Sequence, residues 1–289
     1  MYKSIVALGD TAIALCAEFE SIAKYDCLKI TDSNKDLENS FFIKKPEKVE
    51  DYEAELNRGL ISKLNKLQKN IIFIVSGSDL ISSMSLVILE KLKSKKSNIE
   101  ILYIKTELDF LPERNKLHER MVRNVLQEYA RSGLLDKICL VDTTVVESMC
   151  QDLTILNRSQ QVNFRIAYCY HSLDQYKNIK PITSSNCEIS KICRIFTIGY
   201  GPVASQEKKL FFPLKEEREV LYYFAINEDK LASEKNLFRT LTDPIRSQDD
   251  NLKTMFLIYE TEFEEDYVFF ESYTPFVQND NLKNLLLQN

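Results

Sequence analysis

The stretch IIFIVSGSDLISSMSLVILEKLK, residues 71–93, decides the fold because it joins an apolar run to a polar turn and then to a helical pattern. Ile71–Val75 is the most apolar run of the chain, which predicts a strand buried on both faces. The turn SGSD (76–79) ends that strand, and apolar residues at helical spacing predict a helix over Ile81–Leu92. A buried strand followed by a covering helix is the repeating unit of a parallel sheet.

The same alternation continues on both sides of this stretch. Upstream, the patterns predict strand Ser4–Leu8, helix Thr11–Ala23, strand Leu28–Ile30, loop Ser33–Lys48 and helix Val49–Leu67. Downstream, they predict strand Ile99–Lys105, loop Glu107–Asn115, helix Lys116–Arg131 and strand Ile138–Val141. Strands that alternate with helices indicate an α/β domain whose parallel sheet has helices on both faces.

After Val146 the pattern changes. A long helix is expected over Leu156–Tyr176, with Pro181 after it. Beyond it the patterns predict strands Ile192–Gly199, Val220–Ile226, Thr254–Tyr259 and Tyr267–Phe270, with helix Ser233–Leu241 between two of them. We therefore expect an N-terminal α/β domain (1–155), a central helix (156–180) and a smaller mixed α+β domain with its tail (181–289). The end of that tail, QNDNLKNLLLQN (278–289), suits either a short docked helix or a frayed end.

Composition excludes several classes of protein. The 289 residues carry a net charge of −5, which argues against nucleic acid as a partner because phosphate contacts need clustered Lys and Arg. No apolar run approaches about 18 residues, and the N-terminus lacks a signal-peptide layout, so we expect a cytoplasmic protein without direct membrane insertion. The seven cysteines form no C-x-x-C pair and there are two histidines, so we expect reduced thiols and no metal site.

The chain is poor in glycine. It has six glycines, whereas average usage would give about twenty. Backbone that wraps closely around phosphate groups normally needs glycine. The shortage therefore bears directly on nucleotide binding.

In the order, lengths and spacing of its elements the chain resembles the tubulin/FtsZ superfamily. In FtsZ proteins a strand leads into a glycine-rich GGGTGTG loop and a helix, the next strand ends in TKPF, and a later strand ends in IPND. The corresponding segments of this chain are IIFIVSGSDLISSM (71–84), IEILYIKTELDF (99–110), LPERNKLHERMVRNVLQEY (111–129) and KICLVDTTVV (137–146). The opening ALGDTAIALCAEFESIAKYDCLKITD (7–32), NCEISKI (186–192), YYFAINED (222–229) and LIYETEFEEDYVFFESYT (257–274) resemble further regions of that fold.

The resemblance implies two phosphate-binding turns, in which the family uses backbone N–H groups of glycine-rich loops to bind GTP. The matching residues of this chain are Gly9, Asp10, Thr11, Ser76, Gly77, Ser78 and Asp79. One glycine remains in each turn, and each turn has gained an aspartate. A carboxylate repels phosphate and suits a helix cap instead, so Asp10, Ser78 and Asp79 are expected to cap helices. The alternative is that they still border a ligand pocket.

The nucleoside side of the site is changed as well. Glu113 matches the ribose-contacting glutamate of the family, but Leu117 stands where an arginine follows it. Asp142 stands at the position of the base-reading asparagine. Asn163 falls within a few residues of the central-helix acid that reads guanine, and an amide cannot accept two guanine N–H groups as a carboxylate does. Guanine specificity is therefore expected to be lost.

For hydrolysis the family brings two acidic residues from the next subunit to the attacking water. This chain offers one weak candidate, Glu188, with Ser or Thr where the other acid would fall. We interpret the chain as a non-enzymatic structural or interaction protein without a cofactor. Its expected partner is itself, head to tail, or another tubulin/FtsZ-like protein. Its Lys-, Asn- and Ile-rich composition suits a microbial or phage genome.

The alternative interpretation is a Rossmann-like enzyme or ligand-binding protein that uses the loops after Leu8, Val75 and Val141 as its pocket. This class includes a slow GTPase that retains GTP or GDP and uses Glu188.

Overall fold

The computed structural model describes residues 3–33, 37, 39–205, 207–246 and 251–279, so the last ten residues of the predicted tail lie outside the described part. Its strands are β1 Ser4–Leu8, β2 Asp26–Thr31, β3 Ser40–Phe42, β4 Asn70–Val75, β5 Asn98–Lys105, β6 Lys137–Asp142, β7 Thr183–Ser184, β8 Ile195–Pro202, β9 Glu219–Asn227, β10 Lys253–Thr261 and β11 Tyr267–Thr274. They form one sheet in the order β3-β2-β1-β4-β5-β6-β8-β11-β9-β10-β7.

The described helices surround this sheet. They are α1 Asp10–Ile22, α2 Arg58–Lys66, α3 Ser85–Ser94, α4 Glu113–Arg131, α5 Thr143–Ser148, α6 Arg158–Tyr176, α7 Glu228–Ser233 and α8 Leu237–Arg246. Short 3₁₀ segments cover Val49–Glu55, Leu80–Met84 and Val203–Ser205. The central helix α6 follows the first six strands. Among the described helices, none combines the length and the apolar character that a membrane span requires.

The sheet is parallel in its first half and mixed in its second. Strands β1 to β6 pair in parallel, and β6 continues into β8 through the parallel pairs Ile138 with Ile195 and Cys139 with Phe196. From β8 onward, β11 pairs antiparallel with both β8 and β9, while β9 and β10 are parallel. The predicted α/β class with a mixed C-terminal part is therefore confirmed.

Both faces of the first half are buried. Ile5 and Ala7 of β1 face a core shared with α1 and α6, whereas Val6 and Leu8 face a core shared with α2, α3 and α4. This is the side-chain alternation of a strand, applied to a sheet with helices on each side. The prediction that residues 71–75 are buried on both faces is confirmed.

Several predicted boundaries are wrong for identifiable reasons. The helix expected over Val49–Leu67 is a 3₁₀ segment followed by α2, because the Asn57 side chain accepts N–H bonds from Gly59 and Leu60 at 3.0 and 3.2 Å and starts a new helix. The helix expected over Ser233–Leu241 is two helices, α7 and α8, separated around Asn236, whose φ is +66°. The loop Ser33–Lys48 contains β3, and α5 was not predicted at all.

A partly buried ion pair connects the end of α6 to the second half of the sheet. The Glu271 carboxylate of β11 is buried, and Lys177 Nζ reaches it from the surface at 2.6 Å. Tyr223 and Tyr273 donate their hydroxyl groups to the other carboxylate oxygen at 2.7 and 3.0 Å. Burial alone would raise the pKa of Glu271, but the charges of Lys177 and Lys137 with these hydrogen bonds hold it below its ordinary value of 4.5.

We expect Lys177→Met to lower the free energy of unfolding at pH 7 by about 2 kcal/mol. This is less than for fully buried pairs, because the lysine stem is partly exposed. The double variant Lys177→Met/Glu271→Gln should recover part of the loss, since it removes the uncompensated charge but keeps an acceptor for the tyrosines. Urea unfolding measures both effects, with exposed Lys44→Met as the matched control. A single variant as stable as the wild type would contradict the assignment.

Candidate functional site

The two predicted turns lie side by side at the carboxyl ends of β1 and β4. Gly9 follows β1 with φ +90°, in the region that favours glycine. A Cβ at Gly9 would stand 2.6 Å from an oxygen of Asp79 in the second turn, so the two turns touch at this point. Position 9 therefore needs a glycine to leave room for the Asp79 side chain, which is a reason other than phosphate binding.

The Asp79 carboxylate binds the start of α1. One oxygen accepts the backbone N–H of Thr11 at 3.0 Å, and the other accepts the Thr11 hydroxyl at 3.2 Å. The first N–H groups of a helix have no partner within the helix and carry its partial positive charge. An anion of the chain therefore occupies a position where such a helix end would otherwise attract a phosphate group.

The aspartates do not cap in the way the sequence predicted. Asp79 precedes the 3₁₀ segment Leu80–Met84 but makes no side-chain bond to it, and instead caps α1. Asp10 is the first residue of α1, and its carboxylate accepts hydroxyl groups of Thr31 at 3.0 Å and Ser33 at 2.7 Å. Hydrogen-bond donors on neighbouring turns, rather than sequence position, decide where each carboxylate points.

Burial raises the pKa of Asp79 above its ordinary value. The hydrogen bonds from Thr11 oppose this shift, and the charges of Asp10 and Asp32 add to it. The turn region is thus already crowded with negative charge before any ligand is considered.

The second turn is held by the protein itself. Ser76 and Ser78 share a hydroxyl hydrogen bond of 2.8 Å, and the Gly77 N–H donates to the Tyr103 hydroxyl at 3.2 Å. The Gly77 carbonyl accepts from His118 Nδ1 at 2.8 Å. A Cβ at Gly77 would lie 2.8 Å from the Cα of Glu119, so this glycine allows the turn to pack against α4.

Next to the turns lies a cavity of about 320 Å³, between α1, α5 and the start of α6. Thr11 and Asn163 both line it, so Asn163 lies on the same cavity as the first turn. Arg158 also lines it and is paired with Glu107 at 3.2 Å and Glu147 at 2.6 Å. Two carboxylates against one guanidinium make the lining unfavourable for a polyphosphate.

The other predicted site residues lie elsewhere. Glu113 is exposed at the start of α4 and pairs with Lys116 at 2.9 Å, which lowers the pKa of Glu113. Asp142 ends β6, accepts the Thr144 N–H at 3.0 Å and pairs with Lys105 at 2.9 Å. Neither residue lines the cavity.

Glu188 lies far along the chain, in the exposed loop after α6. Lys253 donates a hydrogen bond to its backbone carbonyl. Glu188 does not line the cavity beside the two turns.

The sequence did not indicate that Asp79 reaches Thr11. The two residues are 68 positions apart, and the signal available was indirect: an acid in place of glycine in both turns. The ion pairs of Arg158 were missed for the same reason, because they join the start of α6 to α5 and to the loop after β5.

The fold is that of the tubulin/FtsZ proteins. The structure is similar to the CetZ2 protein of Haloferax volcanii in a GTPγS-bound protofilament, with a TM-score of 0.74 over 100% of this chain and 97% of that one, at 13% identity. It is similar to TubZ of Bacillus thuringiensis serovar israelensis, in a GTPγS-form protofilament (TM-score 0.70, 11% identity, 100% and 90% covered). It is also similar to an empty FtsZ dimer of M. jannaschii (0.67, 9%, 94% and 88%).

No model of a known protein family matches the sequence, and neither does any curated protein. At identities this low, the structural similarity establishes the fold and leaves the chemistry of the site to its own residues.

We expect Asp79→Asn to be at least as stable as the wild type at pH 7. The amide keeps an acceptor for the Thr11 N–H, and the Thr11 hydroxyl can turn to accept from its NH₂ group. A raised pKa in the folded state means that ionised Asp79 reduces stability. The advantage of the variant should therefore vanish below the ordinary aspartate pKa of 3.8 and grow as the pH rises through the folded value.

Thermal unfolding between acidic and neutral pH measures this difference, with exposed Asp109→Asn as the control. A wild type that gains stability relative to Asp79→Asn as the pH rises would contradict the assignment.

Proposed function

We propose that this chain is a structural or interaction protein that has lost GTP binding and hydrolysis and assembles head to tail with copies of itself. The observation that carries the proposal is the Asp79 carboxylate on the Thr11 N–H and hydroxyl groups. A triphosphate would have to displace this internal anion from the start of α1.

The electrostatics oppose that displacement. Asp10 and Asp79 lie at the turns, and the charge of Asp32 acts on Asp79 as well. Each carboxylate close to a phosphate group costs on the order of 1–4 kcal/mol at effective dielectric constants between those of water and a protein surface. A second obstacle is the second turn, where the N–H groups of Gly77 and Ser78 already have acceptors within the chain.

Assembly is supported by two apolar surfaces at opposite ends of α6. The upper apolar surface consists of Phe110, Ile155 and Leu156, whose exposed fractions are 89, 97 and 97%. The Arg158–Glu107 ion pair connects their two loops. The lower apolar surface consists of Ile179 and Ile182, which follow the end of α6 and are 55 and 57% exposed. Clustered large apolar side chains on the outside of a protein are typical of interaction sites.

The positions of the two surfaces support a head-to-tail assembly. Helix α6 has 19 residues and is therefore about 28 Å long, with one surface before it and the other after it. Two different surfaces at opposite ends of a subunit fit a heterologous contact, in which the lower surface of one copy covers the upper surface of the next. CetZ2 and TubZ, whose structures are similar, were both determined as protofilaments. The partner in such a contact is a second copy or a related tubulin/FtsZ-like protein.

We expect no binding of GTP, GDP or ATP, with or without Mg²⁺, at a few hundred micromolar nucleotide in a calorimeter. The reason is the internal anion together with the acidic surroundings. Guanine-selective binding in the micromolar range would overturn the loss of the nucleotide site and would favour a ligand-binding enzyme that uses the 320 Å³ cavity. In that case turnover by the wild type and by Glu188→Gln would be measured next.

The heterologous contact predicts a specific result for mixtures. Leu156→Asp should block the upper surface and Ile182→Asp the lower one, so each variant alone should stay monomeric in light scattering. A one-to-one mixture should give dimers, because one intact surface of each kind remains. The wild type should form larger assemblies, visible by electron microscopy.

The control is Phe263→Asp, a change of a 38% exposed residue that belongs to neither surface, which should leave assembly unchanged. If the two surface variants stay monomeric after mixing, or if each still assembles alone, the head-to-tail arrangement is wrong.

A further inference from the structure

Two cysteines and a glutamate converge between α1 and β2. Cys16 and Glu20 belong to α1, and Cys27 belongs to the neighbouring strand β2. One ligand atom of each, namely the two thiol sulfurs and a carboxylate oxygen, lies within 4.8 Å of the others. In the described part of the chain, no other three His, Cys, Asp or Glu side chains converge in this way.

The fold itself brings the three together. Cys16 and Glu20 are four residues apart, so they lie on the same side of the helix on successive turns. Cys27 lies opposite Ile5 in the parallel pairing of β2 with β1, which fixes its place beneath the helix. Sequence spacing gave no sign of this group because the second cysteine belongs to the next element and is not part of a C-x-x-C pair.

The group has a closed side and an open side. Cys16 has no exposed surface, Cys27 is half-buried and Glu20 is exposed. A cation could therefore enter from solvent beside the carboxylate and reach both sulfurs. Four-coordinate Zn²⁺ accepts thiolate and carboxylate ligands, with sulfur ligands at about 2.3 Å and oxygen ligands at about 2.0–2.2 Å.

We propose that Cys16, Glu20 and Cys27 form a binding site for a thiophilic divalent cation, Zn²⁺, with water as the fourth ligand. The three side chains supply two thiolates and one carboxylate, and both thiols release their protons when the metal binds. Thiolate ligands favour zinc over magnesium and calcium, which prefer oxygen.

Lys29 completes the charge balance of the site. Its Nζ lies 2.7 Å from Glu20 Oε2, on the same strand as Cys27 and two residues after it. With Zn²⁺ bound, two thiolates, one carboxylate and one ammonium give a net charge of zero. A carboxylate has two oxygens, so Lys29 can keep one as an outer partner while the other binds the metal.

The proposal does not depend on the loss of GTP binding. A metal held here would join α1 to β2, and binding to the folded state alone would stabilise the chain in proportion to the logarithm of the metal concentration.

The test uses the full, reduced chain freed of metal, with Cd²⁺ as a spectroscopic probe and Zn²⁺ for calorimetry and thermal unfolding. We expect one Cd²⁺ per chain with a thiolate-to-cadmium absorption band in the ultraviolet, and a higher melting temperature with Zn²⁺. Cys27→Ser should lose the band and the rise in melting temperature. Glu20→Gln, a change of an exposed side chain, should weaken binding by about tenfold or more.

The control is Cys150→Ser, which removes a half-buried cysteine outside the group and should bind Cd²⁺ as the wild type does. Melting curves without metal establish whether each variant is folded. If Cys27→Ser does not fold, the binding measured for Glu20→Gln decides the test. The proposal is wrong if one equivalent of Cd²⁺ gives no thiolate band, or if Cd²⁺ binding is the same in both variants and the wild type. It is also wrong if the two thiols form a disulfide in air and the reduced chain binds neither metal.

Discussion

The need to cover both faces of one continuous sheet governs the rest of this structure. The parallel strands are apolar on both sides, so α1 and α6 must pack on one face and α2, α3 and α4 on the other. Phe19 of α1 meets Tyr170 of α6 edge to face at 5.8 Å, which holds the central helix against the sheet. With the faces occupied, the edge formed by the carboxyl ends of the strands and the two ends of α6 are left for interactions.

The chemistry at that edge follows from a few residues that differ from those of a glycine-rich nucleotide-binding turn. Where a nucleotide-binding turn needs bare backbone, this chain has Asp79 within hydrogen-bond distance of Thr11 and a second turn tied to Tyr103 and His118. The N–H groups of Thr11, Gly77 and Ser78 have acceptors inside the chain, as buried and half-buried polar groups generally do.

Local patterns predicted the fold well because it depends on periodic burial. The apolar runs of β4 and β5, the helix α4 and the long helix α6 were placed to within a few residues. The errors arose where one side chain decides the outcome, as Asn57 does at the start of α2. In the candidate site, the sequence identified Asp79 as foreign to a phosphate turn. Its hydrogen bond to Thr11 joins residues 68 positions apart, and a local sequence pattern cannot predict such a long-range contact.

An anion that belongs to the chain cannot dissociate and cannot be hydrolysed. Under the proposed function, the start of α1 experiences the same negative charge at every concentration of free nucleotide, since covalent attachment keeps the effective concentration of the Asp79 carboxylate high and constant. A bound nucleotide that is hydrolysed changes with time after binding, because a triphosphate becomes a diphosphate. A carboxylate that replaces the nucleotide, as the proposed function has it, would give each molecule the same state for its whole lifetime.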